Sequence, residues 1–163
     1  MPATHRAEVE AILAGAHAEH RALLQAVSPA LRASLPVDAT GITQAIEHLG
    51  AALGLADLRR EQAHAHQANP AVLHGRVFGR SPLSPDTVLA AFVEGARVRA
   101  GLVMRLAEAV GGPELAGAIR ALLGEHPPPL DAGHAETAEQ LRDTYAAQED
   151  ALVRIAARLD ARG

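Results

Sequence analysis

The sequence predicts an all-α protein, a single four-helix bundle over residues 1–163 with a long crossover between the second and third helices and a short extra helix before the fourth. Three observations lead there. Apolar residues recur three and four apart through four long stretches. Clusters of proline and glycine separate those stretches. No alternating Val/Ile-rich run competes for a sheet. The length agrees, because 163 residues form one domain that buries roughly 70% of its unfolded surface without metal or disulfide staples.

The first helix is expected from Thr4 to Ala26, with Val9, Ile12, Leu13, Ala16, His20, Leu23 and Leu24 on one stripe, ending at Ser28-Pro29. Leu31 to Leu35 can form a short turn before Pro36. Thr40 is the expected N-cap of a second helix from Ile42 to Gln67, whose stripe runs through Ala45, Ile46, Leu49, Ala52, Leu53 and Ala56 until Asn69-Pro70 stops it. Residues 69–84 read as the crossover. Ser84 and Pro85 open the third helix, a cap followed by proline at the first helical position. Gly111-Gly112 closes it, and Pro113 opens the short extra helix to Leu123. His126-Pro127-Pro128-Pro129 is extended, since each proline disfavours helix in the residue before it. The last helix runs from Gly133 to Leu159, with Ala138, Leu141, Tyr145, Gln148, Leu152, Ile155 and Leu159 alternating three and four apart; this sets Gln148 in the core seam.

Composition removes several function classes. A net charge of -4 argues against a general phosphate-backbone binder, and two Phe, one Tyr and no Trp leave little from which to build stacking platforms for bases. No nucleic-acid partner is expected. No apolar run approaches a membrane span, and Met1-Pro2-Ala3-Thr4-His5 lacks the order of a signal peptide. With no cysteine, a cytoplasmic location and no membrane partner are the expectation.

Nine histidines are the chemically suggestive group. Most read as solvated surface. His20 lies on the apolar stripe about six residues before the first helix ends, and His48 about seven residues into the second, so an antiparallel pair would place them level. A shared metal is one reading of that pair; a hydrogen-bonded core histidine is the other. Gln148 can complete a polar pocket with them as a ligand-binding residue, or bond a neighbouring helix's side chain or carbonyl in a dry core, or reach across a dimer seam. Glu61-Gln62-Ala63-His64 has the E-x-x-H spacing of di-iron bundles but lacks the second such pair that those sites need. Arg97, Arg99 and Arg105 read as the wet face of the third helix, and His74, Arg76 and Arg80 as a solvated connection.

The order of these features resembles the DinB/YfiT-like family. The first helix ends in Arg21-Ala22-Leu23-Leu24-Gln25-Ala26-Val27-Ser28-Pro29, and the next carries Ile42, Ile46, His48 and Leu49. The family's second helix opens W-S-x-x-E-x-L-x-H-L; the apolar positions and the His-Leu pair match, while Thr40 and Gln44 stand where the family has Trp and Glu. The resemblance implies a homodimeric four-helix bundle that holds a divalent metal (Zn, Ni or Fe), acts as a transferase with a low-molecular-weight thiol and, in some members, responds to DNA damage or stress. Only His48 carries over as a ligand. The family's H-x-x-x-H pair on the last helix falls on Ala147 and Ala151, or one residue later on Gln148 and Leu152. Two readings follow: a metal-dependent transferase with His48 and His20 as ligands, or a non-enzymatic bundle with a degenerate site, acting through its own dimer, to which the Leu58 region and third helix could contribute, or through another protein.

Overall fold

The computed structural model describes residues 4–26, 38–68, 85–129 and 134–162. It is all-α: the described residues form five helices and no strand, α1 His5–Ala26, α2 Thr40–Ala52, α3 Ala56–Ala68, α4 Pro85–Glu125 and α5 His134–Arg162. Segments 27–37 and 69–84, which carry the expected turn at Leu31–Leu35, the crossover with His74, Arg76 and Arg80, and the Ser84 cap, lie outside the described residues.

Helices α1 and α2 pack antiparallel, because His5 meets His48 at one end and Gly41 lies against Leu13 and Ala16 at the other. A Cβ on Gly41 would come within 2.9 Å of the Ala16 Cβ, so glycine there permits the close approach and sets the register. Val9 and Leu13 of α1 meet Ile42, Ala45, Ile46 and Leu49 of α2 in the core. Helix α5 runs antiparallel to α1, shown by the contacts His5 to Asp160 and His17 to Glu149. It runs parallel to the first arm of α4, where Tyr145 bonds the Phe92 carbonyl, Gln148 that of Ala96 and Arg162 that of Ala109. Leu102, Val103, Leu106, Leu141, Leu152 and Ile155 fill the space between.

Two glycines divide long helical stretches. The second stretch, expected to be continuous from Ile42 to Gln67, is two helices. Gly54 adopts φ 71°, Leu55 N–H donates to the Gly50 carbonyl at 2.8 Å and Gly54 N–H to that of Ala51 at 3.2 Å. This is a Schellman closure, which needs a left-handed residue just past the helix end. Within α4, Gly112 has φ 65° and ψ -157°, a conformation essentially restricted to glycine. The chain then turns back along the bundle, since Thr144 donates to the Pro127 carbonyl at 3.0 Å. Pro113 opens the second arm as expected for proline at a helix start.

Thr40, expected as the N-cap of α2, is its first helical residue. The Asp38 carboxylate instead accepts the Thr40 N–H at 2.9 Å. Leu58, expected at a dimer face, is buried against Gly50 of its own chain. Leu23, placed on the α1 stripe by periodicity, is 51% exposed; it lies beyond the level of Leu13 and Ala16 at which α2 begins.

Candidate metal centre

Thr4 starts α1 by accepting the Ala7 N–H at 3.1 Å, a side-chain cap on one of the helix's free donors. Asp160, from the last turn of α5, accepts the N–H groups of His5 and Arg6, each at 2.9 Å. These bonds, with Arg6 N–H the largest cause, hold the Asp160 carboxyl below the usual carboxylate range. The turn so fixed carries His5 and Glu8, three residues apart and therefore on one face. Opposite them, α2 presents His48. Its Nε2 lies 2.7 Å from Glu8 Oε2 and 3.2 Å from His5 Nδ1, and His5 Nδ1 is 3.9 Å from the same Glu8 oxygen.

The three donor atoms lie close enough together that they could hold a metal ion. Bonds of about 2.0–2.2 Å place neighbouring donors on a tetrahedral or octahedral centre roughly 3.0–3.5 Å apart, and the spacings here straddle that range. The side chains are partly exposed, 37% for His5, 41% for Glu8 and 26% for His48, so solvent reaches the open side. Three protein ligands with an open position is the arrangement of catalytic rather than structural centres. Two imidazoles and one carboxylate suit Zn, Fe or Ni better than Ca or Mg.

His20 and Gln148, the other site residues read from sequence, are not brought to His48. His20 lies fifteen residues along α1 from His5, roughly 22 Å at the helical rise. His20 and His48 would be level only if α1 and α2 met at their inter-helix ends. Instead α2 begins level with Leu13 and Ala16, so His48 reaches the start of α1. The His20 Nε2 atom is buried and has no hydrogen-bond partner among the described residues. Sequence reasoning missed His5 and Glu8, although their H-x-x-E spacing on the first turn of α1 was a visible signal. Glu61 of the E-x-x-H motif is taken up by Arg105, which also pairs with Asp57 and thereby ties α3 to α4.

Gln148 does occupy the core seam, with no exposed surface. Its Nε2 donates to the Ala96 carbonyl at 2.9 Å and its Oε1 is buried with no partner among the described residues. The arrangement includes the helix-carbonyl bond of the dry-core reading. Gln148→Leu should therefore change unfolding free energy by no more than about 1 kcal/mol, because relief of the unpaired oxygen offsets the lost bond; urea denaturation showing a loss above about 2 kcal/mol would contradict this.

Arg99, expected on the wet face, turns inward. Its guanidinium donates to the Tyr145 hydroxyl at 2.8 Å and lies 5.1 Å from the ring centroid, while Arg97 stays exposed and pairs with Glu94. Burial pushes the Tyr145 hydroxyl up to about 12, against the opposing Arg99 charge. A raised pKa means that the folded state keeps a proton the unfolded chain releases, so this contribution is present below pH 10 and lost as pH rises towards 12. The loss should be roughly 2–3 kcal/mol, and Tyr145→Phe should remove that part of the alkaline destabilisation in denaturation curves taken from pH 9 to 12.

No family model, curated protein or solved structure matches the chain. No described helix is long and apolar enough to cross a membrane.

Proposed function

We propose that this protein is a divergent DinB-like helical bundle that binds a divalent transition metal through His5, Glu8 and His48. One observation carries the reading: two ring nitrogens and a carboxylate oxygen from two helices converge within 3.9 Å. A proton on His48 Nε2 can serve one of the two neighbours directly. A divalent cation satisfies all three lone-pair donors together. His48 is the residue that the resemblance makes a ligand; His5 and Glu8 are ligands the resemblance does not give, since Ala147 and Ala151 lie on α5 beside Glu149, level with His17, and His5 meets Asp160.

The activity proposed for this centre is transfer involving a low-molecular-weight thiol, in a homodimer with a role in stress or damage responses. The metal would bind the thiol as its nucleophilic thiolate. The protein's own part is to hold two imidazoles and a carboxylate on one side and leave the other side open, so that no cysteine of its own is needed.

Calorimetric titration of untagged protein with Zn2+ at pH 8 tests the binding. One site per chain with a micromolar or tighter dissociation constant is the expected result; no binding at millimolar metal overturns it. With binding established, absence of transfer from any small thiol would leave a non-catalytic metal-binding bundle, and sedimentation at micromolar concentration reads the dimer separately.

A further inference from the structure

We infer that Asp160 is a positioning residue of the His5–Glu8–His48 centre and makes the last turn of α5 part of it; this rests on the metal-binding reading above. Two of the three ligands sit on the first turn of α1, the part of a helix most prone to fray because its N–H groups have no intrahelical partners. The Asp160 carboxylate occupies two of those donors, His5 N–H through Oδ1 and Arg6 N–H through Oδ2. It thus fixes the backbone of one ligand directly and, through that turn, the direction of Glu8.

Charge gives a second reason. A helix N-terminus carries the equivalent of roughly half a positive charge, and a divalent cation held beside it is repelled. Asp160 places a full negative charge against that terminus without taking a ligand position. The carboxylate therefore orders the ligand turn and lowers the electrostatic cost of the cation.

The last turn of α5 has a second tether, Arg162 Nη1 to the Ala109 carbonyl at 3.3 Å. This bond docks α5 on α4 and touches neither α1 nor the ligands, so it separates general docking of α5 from positioning of the site. By linkage, if docking of Asp160 strengthens metal binding, metal must strengthen that docking by the same factor. The metal state of the α1–α2 centre is then felt at the end of α5.

The experiment compares untagged wild type, D160N and R162A by calorimetric titration with Zn2+ at pH 8, and by amide hydrogen exchange with and without Zn2+. D160N keeps the side-chain shape but sets an N–H against a backbone N–H and removes the charge. It should bind Zn2+ at least about tenfold more weakly, the scale seen for lost outer-shell partners, while R162A stays within about threefold of wild type. Zn2+ should slow exchange at the first turn of α1 and the last turn of α5 in wild type, and the α5 effect should vanish in D160N. D160N binding within threefold of wild type overturns the inference while leaving the metal reading intact; wild type that binds no Zn2+ overturns both. Should D160N fail to fold, the wild-type exchange decides: protection at α1 with none at the end of α5 sinks the proposal.

Discussion

His48→Ala should lower the affinity for Zn2+ by more than 100-fold with the helical content unchanged. The ring supplies the nitrogen that faces both His5 and Glu8, and losing a direct ligand should exceed the roughly 10–100-fold cost of losing an outer-shell partner. Stability should move little in the absence of metal. The Glu8–His48 pair is open to solvent, and exposed pairs of this kind contribute about 0–1 kcal/mol. His20→Ala is the matching control, because His20 lies far along α1 from the centre; it should leave affinity within about twofold of wild type. Calorimetry on both variants reads the result, and a His20→Ala protein that loses metal while His48→Ala keeps it would overturn the assignment of ligands.

Gly112→Ala should destabilise the fold by about 1–3 kcal/mol, the usual cost of holding a non-glycine residue in a glycine-only region. Gly112 is where α4 turns back towards the level of Thr144, so the second arm cannot pack Ala116 and Ile119 into the core unless the turn is kept. Gly111→Ala should cost a similar amount for a different reason. A Cβ there would lie 2.5 Å from the Leu115 Cβ and 2.8 Å from its Cδ2, and a clash with a Cβ is relieved only by moving backbone; such overpacking costs about 1–3 kcal/mol. The two residues are adjacent, so the double variant should not show the simple sum. Urea denaturation measures all three, and a change below about 0.5 kcal/mol in Gly112→Ala would refute the role given to that turn.

Neighbouring residues along one helix were legible without a structure because the helical period alone determines which face they share. That is why the α5 stripe, the buried parts of the α1 and α2 stripes and the burial of Gln148 follow from the sequence, whereas Leu23, Ala52 and Ala56 of those stripes are exposed; the break before the second arm of α4 follows instead from the backbone chemistry of glycine and proline. Gly54 shows where this reasoning fails: an isolated glycine in a periodic stretch is compatible with a continuous helix, and only the Gly50–Leu55 closure shows the break. The metal centre was legible in part. His48 stood out through a family resemblance and His5 and Glu8 share a helical face, yet nothing local says that the start of α1 meets the ninth residue of α2. That register is decided by the Gly41–Ala16 contact and by burial of apolar side chains between the helices. The capping of α1 by Asp160, 155 residues away in the chain, and the inward turn of Arg99 onto Tyr145 likewise belong to tertiary structure alone, because each is set by how whole helices pack and not by the residues beside it.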